Sequence, residues 1–120
     1  MSVPQTTNEV GLQLARLGRE LDRVKAELND ADLAAVRARE VFKVAEAKAT
    51  VSSEGSSADL RKADTVLRTH DERLAAETAD AIVRGLVREM TAIRVRIDVG
   101  RTLGAGIRSE TALGGYGGAA

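Results

Sequence analysis

The chain has 120 residues and a formal net charge of zero, with 43% hydrophobic but only 2% aromatic residues. At this length it contains one domain at most. Alanine, aliphatic and charged residues are typical of long helices and coiled coils, and too few bulky side chains are present for a thick globular core. Cysteine is absent, so disulfides and thiolate metal sites are excluded. The composition therefore predicts an all-α protein.

The charge is unevenly distributed along the chain. Residues 54–80 carry 4 basic and 7 acidic side chains, whereas residues 81–120 carry 6 basic and 3 acidic ones. All six basic residues of the last segment are arginines. A pI near 6.6 argues against a general histone-like binder, but it is compatible with a local anion-binding stripe in the last third of the chain.

The N-terminal residues 1–7 form a short polar segment that we expect to be disordered. Thr6 stands three residues before Glu9, which is the spacing of a capping box, and predicts that a first helix spans 8–52. No basic segment followed by an apolar stretch is visible, and no run of about 18 apolar residues occurs. We therefore expect a soluble, cytoplasmic protein.

The first helix carries a heptad pattern, in which small or apolar residues recur at alternating steps of four and three. A period of 3.5 residues keeps one edge of a helix facing a partner helix. This seam consists of Val10, Leu14, Leu17, Leu21, Val24, Leu28, Ala31, Ala35, Ala38, Phe42, Ala45 and Ala49.

A turn at 53–56 is predicted to reverse the chain. Gly55 is able to adopt the left-handed conformation that ends a helix, and Ser56 or Ser57 is suited to cap the next one. Asp59 then lies in the first turn of a second helix over 57–109. Beyond it, a glycine-rich segment at 111–120 is predicted to be a flexible tail.

The second helix also has an apolar series, which predicts a long antiparallel two-helix hairpin. Its steps of four between Leu74 and Met90 depart from a strict heptad, and Gly100 and Gly104 favour a helix that loosens. Reversal at Gly55 places position i near position 109 − i. The inward residues are predicted to be Leu60, Ala63, Leu67, His70 or Asp71, Leu74, Thr78, Ile82, Leu86, Met90, Ile93, Ile97, Gly100, Gly104 and Ile107.

Apolar residues also lie outside this seam on both helices, and a two-helix hairpin has only one shared seam. A second stripe needs another partner, so we expect the hairpin to form a homo-oligomer. The stripe comprises Leu33, Val36, Val41, Val44, Val83, Val87, Val95, Val99 and Leu103. The oligomer interface is predicted at Val36, Val44, Val83, Val87, Val95 and Val99.

No catalytic constellation is apparent. His70, Asp71 and Glu72 are consecutive on a predicted helix, so their side chains are about 100° apart and do not converge. The serines at 52–57 have no base to activate them and suit turn and cap positions. We therefore expect no enzymatic activity, no metal and no cofactor.

The arginines near the C-terminus are the strongest functional candidates. Arg94, Arg101 and Arg108 are spaced by seven and share one helix face, and Arg84 and Arg88 form an i, i+4 pair. Such a row suits a phosphodiester backbone. The alternative is that these arginines are solvated and pair with acids of the first helix, such as Glu20. Without aromatic side chains, any nucleic-acid binding is expected to be sequence-neutral.

Two stretches resemble a known family. One comprises Lys48-Ala49, Ser53-Glu54-Gly55-Ser56 and Arg61-Lys62-Ala63, and the other is Ile-Arg-Val-Arg-Ile-Asp-Val-Gly-Arg-Thr-Leu-Gly-Ala-Gly-Ile-Arg at 93–108. Together they resemble the UvsY-like recombination mediators of bacteriophages, over roughly 28–110.

The resemblance implies a ring-like homo-oligomer that binds single-stranded DNA and helps to load a recombinase onto strands coated by single-strand-binding protein. It places the chain in the host cytoplasm. The family's aromatic residues near the turn are absent. The basic positions that it implies are Lys43, Lys48, Arg61, Lys62, Arg94, Arg101 and Arg108.

The resulting hypothesis is a non-enzymatic accessory protein of phage DNA recombination or replication. The alternative is a structural or scaffolding coiled coil, for instance in virion assembly, that binds only protein. A small inhibitor of a nuclease is a third possibility, which no residue specifically favours.

Overall fold

The computed structural model describes residues 6–118, which form three α-helices and no strand. Helix α1 spans Thr7–Ser52, α2 spans Ala58–Arg68 and α3 spans His70–Gly118. The all-α class is confirmed, but the predicted second helix is divided in two. Most of the predicted lead-in, residues 1–5, and the last two residues of the predicted tail lie outside the described part of the chain.

Helix α1 begins where the capping pattern predicts. The hydroxyl of Thr6 accepts a hydrogen bond from the backbone N–H of Glu9 at 3.1 Å. This bond satisfies one of the N–H groups that the first turn of a helix leaves without a partner. Thr7 therefore already belongs to the helix.

The turn contains the predicted glycine and cap. Gly55 has a φ of +151°, and a Cβ placed there would lie 2.8 Å from the Cβ of Leu60, so only glycine fits without strain. Ser57 caps α2, and its hydroxyl accepts from the N–H of Leu60 at 3.2 Å. Asp59 occupies the first turn. The non-helical connection ends at Ser57.

A cluster of polar side chains connects α2 to the C-terminal end of α1. The sequence did not predict this cluster. The Arg68 guanidinium donates to the backbone oxygen of Ser52 at 3.2 Å and lies 3.1 Å from the Asp64 carboxylate. The same carboxylate accepts from the N–H of Glu54 at 2.8 Å. One of the last carbonyls of α1 therefore receives its hydrogen bond from an arginine sixteen residues later.

The prediction of one unbroken helix over 57–109 is wrong because Thr69 interrupts it. Thr69 is buried and has φ −107° and ψ 14°, outside helical values. Its hydroxyl donates to the backbone oxygen of Thr65 at 2.8 Å, a bond that often bends helices. As a result, none of the residues of α2 is buried.

Beyond Thr69, α3 continues without a break through Gly100 and Gly104 to Gly118. The predicted helix end at 109 and the predicted loosening at the glycines are therefore wrong. A Cβ on Gly100 would lie 2.9 Å from Cδ2 of Leu14, and one on Gly104 would lie 3.1 Å from Cγ1 of Val10. Both glycines allow α1 and α3 to approach closely, which explains their presence inside a helix.

The described chain divides into two compact units, which we consider separately. Within the described residues, unit 1 comprises 6–26 and 88–118, and unit 2 comprises 27–87. In unit 1, α1 and α3 run antiparallel, as the contacts of Val10 with Gly104 and of Leu14 with Gly100 show. The seam of unit 1 contains the buried or half-buried residues Val10, Leu14, Leu17, Leu21, Val24, Met90, Ile93, Ile97, Gly100, Leu103, Gly104 and Ile107.

In unit 2 the α1 side of the seam also follows the prediction. From α1, all the predicted positions from Leu28 to Ala49 are buried or half-buried. They are joined on the other side by Thr69, Glu72, Ala76, Ala79, Val83 and Leu86. The seam of unit 2 is therefore formed largely by alanine and polar residues.

The predicted inward series of the second helix is wrong in its first half. The residues that were expected inside but are exposed are Leu60, Ala63, Leu67, His70, Asp71, Leu74, Thr78 and Ile82. From Thr69 to Ile107 the observed seam instead alternates strict steps of three and four. The expected departure from a heptad is therefore absent.

The pairing of the helices is also displaced from the predicted one. The relation 109 − i places Leu14 opposite residue 95, but Leu14 contacts Gly100 in unit 1. In unit 2 the same relation places Arg39 opposite residue 70, but Arg39 forms an ion pair with Asp80 at 3.9 Å. The displacement follows from the connection between the seam-forming helices, which includes all of α2.

Candidate nucleic-acid interface

Three arginines form a regular row on α3 within unit 1. Arg94, Arg101 and Arg108 are all exposed, and each directly follows a seam residue. At 1.5 Å per residue, neighbouring members are about 10.5 Å apart along the helix. We call Arg94, Arg101 and Arg108 the arginine row.

Two of the three α1 residues on the same side of unit 1 are glycines, and the third is the exposed Lys25, which follows Val24. In an antiparallel pair of helices, the residues that directly follow the seam positions reached by a step of three flank the same edge of the seam on both helices. The two glycines are Gly11 and Gly18, which follow Val10 and Leu17. A Cβ on either glycine would meet nothing within 4 Å. The arginine row therefore borders open space and no carboxylate on α1 at these two positions.

The arginine row has few internal partners. Arg101 lies 3.9 Å from the Asp98 carboxylate, and both side chains are more than two-thirds exposed, so this ion pair contributes little. Within residues 6–118, Arg94 and Arg108 form no ion pair, and neither does Glu20, the predicted partner of Arg84 or Arg88. The row is therefore available to an external anion.

The remaining predicted cations are exposed but do not join the row. Arg88 belongs to unit 1, whereas Arg84 and Lys43 belong to unit 2. Lys48 lies in a groove of unit 2 beside Glu40 and Glu72. The structure therefore distributes the predicted binding residues over several surfaces.

Arg61 and Lys62 share a second groove in unit 2, of about 590 Å³, at the junction of α1 and α2. Arg61 also donates a hydrogen bond to the backbone oxygen of Gly55 at 3.3 Å, so part of its donor capacity is used by the turn. This pair of cations is local to the turn.

The His70 region shows no catalytic arrangement. His70 is exposed, and its Nδ1 lies 3.3 Å from a guanidinium nitrogen of Arg73. Asp71 is exposed, whereas Glu72 is half-buried in the seam, so the three side chains do not share a site. Among the described residues, no group of histidine and carboxylate side chains is arranged to hold a metal ion.

The predicted oligomer interface divides into exposed and internal residues. Val83 is half-buried in the seam of unit 2, whereas the prediction placed it outside the seam. Its position follows from the displaced pairing, which moves Val83 inward and Ile82 outward. The other five predicted interface residues, Val36, Val44, Val87, Val95 and Val99, are exposed.

The helices within 6–118 include no segment that is long and apolar enough to cross a membrane. Comparisons with protein-family models, with curated proteins and with solved structures find no match. They therefore bear neither for nor against the resemblance to UvsY-like mediators. The functional argument depends on the chemistry of the described surfaces.

Proposed function

We propose that this protein is a non-enzymatic, homo-oligomeric accessory of DNA recombination or replication that binds single-stranded DNA through its phosphate backbone. The observation that carries the proposal is the exposed arginine row of unit 1. Arginine binds phosphate oxygens through charge-assisted, often bidentate hydrogen bonds. Within 6–113, unit 1 has no aromatic side chain, so binding would depend on charge and spacing and not on base identity.

The spacing of the row suits an extended anionic polymer. Members about 10.5 Å apart present three positive charges in a line, so a strand with regularly repeated phosphates can reach all three. Small molecules with a single phosphate would engage one arginine only. A polymer engages the three together, and a homo-oligomer multiplies the number of rows on one strand.

Binding of an oligothymidylate, followed by fluorescence anisotropy across a salt series, tests the proposal. Three phosphate contacts on a single strand predict a slope of about −2 for the logarithm of the binding constant against the logarithm of salt concentration. Replacing Arg94, Arg101 and Arg108 together by glutamine should weaken binding at low salt at least tenfold.

The matched control replaces Arg16, Arg19 and Arg37 by glutamine, because these arginines are also exposed but lie outside the row. The control removes the same number of charges and should bind nearly as the parent does. Equal losses in both triple variants, or no binding by the parent at low salt, would contradict the proposal.

The narrower role of a recombination mediator rests only on the resemblance of the stretches within 48–63 and at 93–108. Its test is whether the protein accelerates recombinase assembly on single strands coated with single-strand-binding protein. Strand exchange that is unchanged by the protein would remove this role while leaving the binding proposal intact.

A structural or scaffolding function is the second candidate, and the exposed aliphatic side chains of unit 2 favour it. Leu33, Val36 and Val41 are each more than half exposed on α1, and Leu74 and Ile82 are equally so on α3. Large exposed apolar surfaces mark protein contacts. This function predicts a defined oligomer, and variants of the arginine row that behave as the parent in every DNA assay.

A further inference from the structure

The two sides of the unit 2 seam differ in chemistry. One side carries the ion pair between Arg39 and Asp80 at 3.9 Å. The other side carries a groove of about 450 Å³, to which α1 contributes Val41, Val44 and Lys48 and α3 contributes Glu72. Glu40 and Ala45 complete the lining. The groove is therefore apolar along α1, with two carboxylates and one ammonium at its edges.

Glu72 indicates that this groove lacks a partner. Its Oε2 is shielded from water and has no hydrogen-bond partner within the described part of the chain. A carboxylate oxygen removed from water without a donor is costly. A cation at the mouth of the groove would offset part of this cost through its charge, and valine side chains beside the cation would cover Val41 and Val44.

Unit 1 carries a surface of this kind. On α3, Val95 and Val99 are exposed one helical turn apart, and exposed Arg96 lies between them. Among the described residues Arg96 forms no ion pair. We call Val95, Arg96 and Val99 the valine–arginine stripe.

The total charges of the two units are complementary. Unit 1 has 9 basic and 6 acidic residues, a balance of +3, whereas unit 2 has 9 basic and 12 acidic residues, a balance of −3. Opposite charges steer two surfaces together and select against pairing of like surfaces. Unit 2 therefore suits unit 1 of a neighbouring molecule better than it suits another unit 2.

We infer that the unit 2 groove binds the valine–arginine stripe of a second copy of this chain, with the Arg96 guanidinium beside the Glu72 carboxylate. The contact joins two different surfaces, so it is heterologous, and repetition generates a ring or an open chain. This inference specifies the contact that joins the subunits of the proposed homo-oligomer. It rests on the self-association in the proposed function and not on DNA binding. Val36 and Val87, which the sequence also assigned to an interface, take no part in it.

The contact leaves the arginine row accessible. Val99 and Arg101 are two residues apart on α3, so their side chains point about 160° apart around the helix. A molecule bound through Arg96 and Val99 therefore lies away from Arg101, whereas Val95 directly follows Arg94. Loss of assembly and loss of DNA binding can be tested separately, because no residue of the stripe belongs to the row.

Two single variants and their mixture test the inference. Val41→Glu places a charge in the groove, and Val99→Glu places one in the stripe. By sedimentation velocity, the parent should associate further with rising concentration, and each variant alone should associate at least roughly tenfold more weakly because of the buried unpaired charge. An equimolar mixture should form a one-to-one dimer, because each variant retains the surface that the other lacks.

Controls of equal exposure are available for both variants. Val36 is 56% exposed against 58% for Val41, and Leu12 is 61% exposed, as Val99 is. Val36→Glu and Leu12→Glu should therefore associate as the parent does. Arg96→Glu should weaken assembly and leave the helical circular-dichroism signal unchanged.

Other results would overturn the inference. A closed dimer that is lost with Val41→Glu but kept with Val99→Glu would show that two unit 2 surfaces pair with each other. A monomeric parent, a mixture that fails to assemble, or controls that behave like the test variants would remove the contact altogether. Oligothymidylate binding by the monomeric variants would show that the DNA-binding part of the proposed function survives such a failure.

Discussion

Units 1 and 2 use the same heptad spacing but fill it with side chains of different size. The seam of unit 1 contains valine, leucine, isoleucine and methionine, and Val24 and Ile93 are at most 2% exposed. In unit 2 the fully buried seam residues are Ala35, Ala49, Ala76 and Thr69. Burial of a large aliphatic side chain contributes about 1.5–3 kcal/mol, several times the contribution of an alanine methyl group.

The difference shows that a regular pattern specifies where helices meet but not how much stability they gain. Unit 1 buries the large side chains of its seam between its own helices, although Val95 and Val99 remain outside. Unit 2 places alanines at most of its seam positions and leaves Val41, Leu74 and Ile82 outside, where another molecule can cover them. Stability is therefore expected to depend more on unit 1 than on unit 2, and association on exposed residues of both units.

Truncation in the unit 1 seam should have the largest effect. Ile93→Ala leaves a cavity at a residue that is 2% exposed, and should lower the free energy of unfolding by about 3 kcal/mol. Urea denaturation measures the change. Leu33→Ala, at an exposed site of unit 2, should change it by less than about 0.5 kcal/mol. Equal losses would mean that both units depend on large side chains to the same extent.

Enlargement in the unit 2 seam should have the next largest effect. Ala35 is almost fully buried between closely approaching helices, so Ala35→Leu should destabilise by about 2 kcal/mol through overpacking. Ala47→Leu, on an exposed position of the same helix, serves as the control. A gain in stability for Ala35→Leu would show that the unit 2 seam has room for a larger side chain, and would contradict close packing of its helices at Ala35.

Loss of the turn cluster should have a smaller effect. Arg68→Ala removes the hydrogen bonds to Ser52 and the ion pair with Asp64, and should cost about 1 kcal/mol, since the arginine is partly exposed. Lys62→Ala, on the same helix, should change thermal stability little. If the two variants melt at the same temperature, the cluster does not contribute to the stability of unit 2.

Two glycines of α3 provide the finest test of close packing in unit 1. Gly106→Ala meets open space and should stabilise by up to about 1 kcal/mol through helix propensity. In Gly104→Ala the new methyl group would lie 3.1 Å from Cγ1 of Val10, so this gain should shrink or vanish. Thermal denaturation of both variants measures the difference. Equal gains would indicate that the helices of unit 1 have room to separate.

The sequence predicted α1 and its seam because one periodic series dominates that helix. In α2 and α3 two series coexist, and the outer one contains the larger side chains, Leu60, Leu67 and Leu74. A sequence-based prediction selects the outer series because its apolar side chains are larger. The observed seam instead contains Thr69 and Glu72, which are polar and belong to no hydrophobic pattern. From Leu86 onward the two series coincide, and there the predicted residues are buried or half-buried up to Ile107.

The candidate interface was predictable in part for a similar reason. The spacing of Arg94, Arg101 and Arg108 is visible in the sequence and places them on one face. Gly11 and Gly18 border the row because of the way in which α1 and α3 are aligned. The sequence predicted a different alignment, so these neighbours of the row could not be predicted. The Arg68 cluster joins residues up to sixteen positions apart across a turn, and no local pattern reveals it.

The alanine-rich seam of unit 2 does little to prevent its two helices from sliding along each other. Ala31, Ala38 and Ala45 recur every seven residues, so a slide of one helix by a heptad, about 10.5 Å, again places alanines at the levels that these alanines occupy. Such a seam discriminates poorly between alignments. Within unit 2 the alignment is fixed where the chain turns, by the bonds of Arg68 to Ser52 and by Gly55, so a few polar atoms at one end determine which residues meet along its length.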